Sequence, residues 1–284
     1  MTFARSLPAC ILLLGLSLVA CTHVEQPPAP PRIDQALRAT LGGPARSEEE
    51  HARDKFRHPR ETLEFFGLRD DMHVVELWAP EGFYTAILAP VLRDKGALAV
   101  TFLDPNGDFP ARLAQPKKWQ TQASGRYLAR LDKSPEVYDK VQRIAMKPPT
   151  FSSGPDGSAD LVVTFRNVHN WVPEGYEGAV FAAAFRVLKP GGVLGVVEHR
   201  GNPGMTRPQI EDTGYVPEEQ VIGLATTAGF RLVDRSEINA NPKDTKDYPE
   251  GVWTLPPFYA KKDVDRAKYA AIGESDRMTL KFVK

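Results

Sequence analysis

Residues 74–89 constrain the fold more than any other stretch of the chain. Val74, Val75 and Leu77 form the short apolar run of a strand packed on both faces, with Glu76 set among them. Pro80 cannot continue a strand ladder, and Gly82 permits a sharp reversal. Apolar residues at helical spacing follow over 84–92, with a kink expected at Pro90. A second apolar run, 97–103, ends at Asp104. Strand, turn, helix and a second strand with a terminal acid make the first half of a nucleotide-binding α/β fold. In such a fold the turn amides and the helix N-terminus hold an anionic group, and the acid hydrogen-bonds a ribose hydroxyl.

Further along, Asp160 lies near the start of another strand-like run, 159–166, which leads directly into Asn167, Val168, His169, Asn170 and Trp171. A helix is expected over 176–188, then a Lys-Pro-Gly-Gly turn at 189–192 into a strand over 193–197. That strand ends in Glu198, His199 and Arg200. Polar groups at the carboxyl ends of central strands sit where open α/β sheets bind their ligands. The final run, 276–283, alternates and reads as an antiparallel strand.

These segments resemble the class I S-adenosylmethionine (SAM)-dependent methyltransferases. The family's first motif sets an acid and a hydrophobe before Gly-x-Gly-x-Gly. Glu76 matches the acid and Gly82 one glycine, whereas Trp78, Pro80 and Glu81 depart from the pattern. Asp104 matches the acid closing the family's second strand, 104 − 76 = 28 residues on. The 159–171 segment matches the fourth motif, and Leu-Lys-Pro-Gly-Gly is frequent before the fifth strand. The resemblance covers residues 45–284 and is nearest to a subgroup of predicted methyltransferases with a Pro-containing first motif and an Arg-Asn-Val-His-Asn-Trp segment. It implies a Rossmann-like α/β fold: a seven-stranded, mostly parallel sheet with an antiparallel C-terminal strand and helices on both faces.

The resemblance also implies SAM as cofactor, bound by Glu76, Gly82, Asp104 and Asn167. His169, His199 and Glu198 are then the candidate acid–base groups, because an imidazole titrates near neutral pH. Asn170, Trp171 and Arg200 are candidates for holding a small-molecule acceptor. The alternative for His169 and Trp171 is a capped helix start with core packing. For Glu198 and His199 it is a solvated or salt-bridged strand end. The insertion over 239–258, which contains Trp253, is expected to shape the acceptor pocket. Two readings of function follow: a methyltransferase, or a binding protein that keeps the fold without the reaction. Glu81 favours the second, since a carboxylate stands where the donor's own carboxylate would approach. A third reading is a scaffold that engages another protein.

Lys plus Arg and Asp plus Glu both number 36, so the net charge is zero and gives no long-range attraction for nucleic acid. The cysteines are Cys10 and Cys21. Arg5 precedes residues 9–20, which are apolar apart from Ser17 and too short to span a bilayer comfortably. Leu18-Val19-Ala20-Cys21 resembles a bacterial lipoprotein signal, in which the cysteine is lipidated and becomes the first mature residue. An uncleaved N-terminal anchor and an ordinary cleaved signal are the alternatives. The lipoprotein resemblance implies a signal over 1–20, a lipid-bearing Cys21 with a Pro-rich tether over 21–44, and a methyltransferase-like domain over 45–284. It places the protein in the cell envelope, facing the periplasm, and Thr22 after the cysteine points to the outer membrane. Within the mature chain no disulfide is possible.

Before the first strand, a short helix is expected over 33–41. Ser47 with Glu50 makes a capping box for a helix that stops before Pro59. Another helix follows over 60–66. Residues 105–122 read as a loop with one helical turn, 125–132 and 135–140 as helices, 141–146 as a strand, and 201–215 as a loop. Then come a helix over 217–228 and a strand over 231–238. His58, His73, His169 and His199 are scattered without metal-ligand spacing, and no zinc site is expected.

Overall fold

The computed structural model describes Met1 and residues 32–79, 81–104 and 118–284. The signal-like segment, Cys21, the proline tether to residue 31, Pro80 and residues 105–117 lie outside the described residues.

The strands are β1 (His73–Leu77), β2 (Ala97–Leu103), β3 (Gln142–Met146), β4 (Ala159–Phe165), β5 (Leu188–Gly201), β6 (Val216–Pro217), β7 (Arg231–Ser236) and β8 (Arg277–Val283). They form one sheet in the order β3-β2-β1-β4-β5-β8-β7, with β6 pairing off the path onto β5. β1 pairs in parallel with β2 and with β4, and β4 with β5. β8 runs antiparallel between β5 and β7. The order reverses between β1 and β4, the switch point where open α/β sheets make their ligand crevice. At the Lys-Pro-Gly-Gly segment the pairing passes from Ala159–Leu188 to Leu161–Val193, so residues 189–192 loop out of register. The sheet is the one expected from the sequence, with the two-residue β6 added.

The helices are α1 (Arg32–Leu41), α2 (Glu48–Arg57), α3 (Pro59–Phe66), α4 (Thr85–Leu92), α5 (Lys118–Lys133), α6 (Pro135–Tyr138), α7 (Val168–Glu174), α8 (Glu177–Val187), α9 (Arg207–Thr213), α10 (Glu218–Ala228) and α11 (Arg266–Ile272). The period-2 alternation of the strands sends side chains to both faces. On one face Val75, Leu77, Val162 and Val196 pack with residues of α7, α8 and α10. On the other, Val74, Val100, Leu161 and Val163 pack with residues of α1, α3, α4 and α5. Gly195 of β5 lies under Phe66 of α3, where a Cβ would meet the ring at 2.6 Å. Leu37 of α1 is buried in the second core, and residues 31–284 form one compact unit.

The capping box of α2 is formed: Ser47 Oγ accepts from Glu50 N at 3.2 Å, and Glu50 Oε2 accepts from Ser47 N at 2.9 Å. Pro59 sits in the first turn of α3, where its missing N–H costs nothing. Two helices depart from the sequence reading: α5 begins at Lys118, within the expected loop, and α9 occupies a stretch expected to be a loop. α11 lies in a stretch that the sequence reading leaves unassigned.

Candidate functional site

The carboxyl ends of β1, β4 and β5 meet under helices α4, α5 and α7. Two of these strands end in a non-glycine residue with positive φ: Trp78 after β1 at 51° and Arg166 after β4 at 61°. Such backbone costs ~1–3 kcal/mol and survives where packing fixes it. Trp78 N donates to Thr101 Oγ1 at 2.9 Å, and the indole packs against Trp171 and Tyr176 at 6.1 and 6.5 Å between centroids. Arg166 N donates to Val197 O at 2.7 Å. These turns aim the chain across the sheet edge and open a cavity of about 680 Å³ there. That volume lies within the roughly 300–1,000 Å³ of small-molecule sites.

One wall of the cavity comes from α5 and the first turn. Trp119, Ala123, Arg126, Tyr127 and Arg130 share a helical face, with Glu81 beside them. The opposite wall comes from Phe165, Arg166, His169, Asn170 and His199. Trp253 and Phe258, from the insertion before α11, line the cavity as well. The residues of α5 escaped the sequence reading. Their i, i+3, i+4 spacing was a signal, but it shows only when the helix starts at Lys118.

Glu198 organises the second wall. It is fully buried. Its Oε2 accepts from the backbone N–H of Val168 at 2.6 Å and of His169 at 3.3 Å. Its Oε1 accepts from His199 N at 2.8 Å and faces His169 Nδ1 at 2.9 Å. Facing a carboxylate, Nδ1 of His169 is the donor, so in the neutral ring Nε2 carries the lone pair. The His199 ring lies 5.0 Å from that of His169, with its own Nδ1 at 2.5 Å from Ser275 Oγ. Burial first, and then the electrostatic influence of the neighbouring His169, Arg166 and Arg277, hold the His199 pKa well below the usual imidazole value. His199 is therefore neutral at pH 7. The histidines scattered in the sequence thus include two that β4 and β5 bring side by side.

Several expected site residues stand elsewhere. Trp171 is buried in the core rather than in the cavity wall, because α7 turns His169, Asn170 and Pro173 outward and Val168, Trp171 and Val172 inward. Its role as an acceptor contact is corrected to core packing. Arg200 lies outside the cavity, bound to Glu237 at 2.6 Å and Asp276 at 3.4 Å, and is corrected to a structural pair. Glu198 does not itself line the cavity and acts through His169, which does.

The four expected cofactor residues do not line the large cavity either. Glu76, Gly82 and Asn167 border an adjoining cleft of about 30 Å³ beside Trp78, Phe83 and Tyr84, which shares Glu81, Phe165 and Arg166 with the large cavity. Glu76 Oε2 accepts from Thr85 Oγ1 at 2.6 Å, and Thr85 in turn meets Tyr127 Oη at 2.9 Å. Burial raises the Glu76 pKa to about 7. Gly82 has φ 73°, and a Cβ there would come within 3.1 Å of the Tyr127 ring. Asn167 Nδ2 donates to Leu77 O at 3.1 Å and to Thr164 Oγ1 at 3.0 Å, bracing the ends of β1 and β4. Asp104 pairs with Lys147 at 3.0 Å and borders neither space.

The repulsion expected from Glu81 is also revised. Its carboxylate lies 4.0 Å from Arg166 and 3.5 Å from Arg53, which also binds Glu274 at 2.9 Å, so positive groups face it.

No known family profile matches the chain, and no curated protein matches it. Solved structures do. Geranyl diphosphate C-methyltransferase from Streptomyces coelicolor A3(2), solved with Mg2+, geranyl diphosphate and S-adenosyl-L-homocysteine, is 14% identical with a TM-score of 0.53, covering 87% of each chain. The chain has the fold of the class I methyltransferases. A SAM-dependent methyltransferase from Aquifex aeolicus is 15% identical at a TM-score of 0.49, covering 88% of this chain and 97% of its own. The [4+2]-cyclase SpnF is 17% identical at a TM-score of 0.49, covering 89% and 92%.

Proposed function

We propose that the protein is a SAM-dependent methyltransferase for a small molecule, held in the cell envelope by lipid on Cys21. The observation that carries this reading is the single cavity of about 680 Å³ that joins the α5 side of the sheet edge to His169 and His199. In a class I methyltransferase fold, donor and acceptor meet across this edge. The cavity has room for the donor, whereas the cleft beside Glu76 and Gly82, at about 30 Å³, does not. Arg166 in the cavity wall, with Arg53 beside Glu81, supplies positive charge for the donor's carboxylate. The bound donor supplies a methyl group on a sulfonium.

The protein's share of the chemistry is placement and proton handling. Trp253, Phe258 and Phe165 give an apolar surface that excludes water and orients an acceptor. In the metal-free protein His169 Nε2, its ring fixed by Glu198, is the base for the acceptor's proton. Glu198 is a positioning residue for that imidazole.

A binding protein without the reaction is the second reading, and Trp78 favours it. The indole is buried where the family's glycine-rich turn is open, and it closes the cleft at the first strand. Calorimetric titration of SAM and S-adenosylhomocysteine into the full-length chain in detergent separates the two. Micromolar or tighter binding is expected. Absence of heat at millimolar ligand, with the protein shown folded, moves the assignment to the second reading.

A further inference from the structure

We propose that His169 and His199 bind a divalent transition-metal ion through their Nε2 atoms, with Glu198 and Ser275 fixing the two rings from behind. The site lies at the β4 and β5 ends of the cavity and stands independently of the methyl donor.

Three observations carry it. The first is proximity: His169, Glu198 and His199 each offer one ligand atom within 4.8 Å of the others. The two imidazole rings stand 5.0 Å apart between centroids, and turning them about their Cβ–Cγ bonds brings their Nε2 atoms toward one ion bonded at about 2.0–2.1 Å. The second is orientation. Each Nδ1 is occupied on the protein side, by Glu198 at 2.9 Å and by Ser275 at 2.5 Å. Among the described residues neither Nε2 has a hydrogen-bond partner, and both rings line the cavity. A ligating histidine characteristically donates its other ring N–H to a carboxylate or another oxygen, which fixes the tautomer and strengthens the ligand. The third is the state of Glu198. Its oxygens already hold three backbone N–H groups and the His169 ring, so its charge sits behind the imidazole rather than on the ion.

The guanidinium groups of Arg166 and Arg277 near His199 each face a carboxylate. Arg277 is paired with Glu274 at 2.9 Å, and Arg166 approaches Glu81 at 4.0 Å. The buried Glu198 adds one negative charge directly behind His169. Imidazole ligands suit zinc, cobalt, nickel and iron rather than magnesium or calcium. With two protein ligands, the remaining positions open to the cavity, where a hydroxyl or thiol of a small molecule could coordinate and become more acidic.

The probe is Co2+, titrated into the untagged, metal-free full-length chain and followed by visible absorption. Ligand-field bands saturating at one equivalent are expected, without the thiolate charge-transfer band that Cys10 or Cys21 would produce. His169→Ala and His199→Ala should each abolish the bands. Ser275→Ala should weaken binding by about 10- to 100-fold, the usual loss when an outer partner of a ligating histidine is removed. Circular dichroism checks that the variants fold. Should the alanine variants not fold, the cobalt-bound wild type still reports: proton NMR should show two strongly shifted, exchangeable imidazole N–H signals. The proposal is overturned by absent bands, by bands unchanged in the double variant, by thiolate bands alone, or by fewer than two shifted imidazole signals. Because no donor is added, failure of the SAM reading leaves this outcome unaffected.

Discussion

A single buried carboxyl couples the first strand to pH. Glu76 is 3% exposed, and burial pushes its pKa from 4.5 to about 7, with Thr85 and Arg130 drawing it only partly back. The unfolded chain therefore loses this proton near pH 4.5, while the folded protein keeps it until about pH 7. A group whose acid form is favoured by folding removes stability as pH rises between those values, and the penalty then stays constant. The size is about 3 kcal/mol. Glu76→Gln keeps the acceptor for Thr85 and has no charge to desolvate. Urea unfolding at pH 5 and pH 8 should show wild type losing stability across the interval and the variant losing less by on the order of 1–3 kcal/mol. Parallel behaviour of the two proteins would refute the burial argument. The carboxylate was legible in the sequence as a motif residue. That it binds Thr85 of α4 instead of facing the large cavity was not, because Tyr127, which bonds Thr85 in turn, comes from the distant helix α5.

At the scale of elements, legibility followed periodicity. β1, β2, β4 and β8 carry apolar patterns strong enough to place them, and the Ser47–Glu50 capping box set the start of α2. α7 and α9 are seven residues each, too short for a moment to emerge, although α9 has its own capping signal in Thr206 and Gln209. The site was half legible for the same reason. His169 and His199 each follow a strand end, but their pairing depends on β4 lying beside β5. Trp171 misled because it lies about half a helical turn from His169, on the core-facing side of α7. Long-range charge pairing was not legible at all. Glu274 accepts from Arg53, Arg57 and Arg277, joining α2 to the segment before β8 across more than 200 residues of chain. It is 4% exposed, and Arg57 and Arg277 are buried with it. Glu274→Gln would leave buried guanidinium groups uncompensated, which costs about 3–5 kcal/mol. Equilibrium unfolding in urea measures the loss, and a change below about 1 kcal/mol would show that water reaches this cluster.

At the scale of the whole molecule, the proposed membrane attachment is a testable claim. Three kinds of attachment have different signatures. Electrostatic adsorption needs a basic surface, yet the chain has 36 basic and 36 acidic residues. A spanning helix needs a long apolar segment, and among the described residues no helix is long and apolar enough to cross a membrane. The lipoprotein reading rests on Cys21, where several acyl chains together would hold the protein stably, each buried CH2 contributing about 0.8 kcal/mol. Such an anchor is apolar, so raised salt should not extract the protein and detergent should. Cys21→Ser should then remove it from the membrane fraction while the folded unit from Pro31 onward keeps its thermal transition. Membrane fractionation with salt, alkaline and detergent washes reads all three signatures. A variant that stays in the membrane after salt and alkali would replace the lipid with an uncleaved apolar segment at 9–20, and a wild type that salt alone releases would point to electrostatic adsorption.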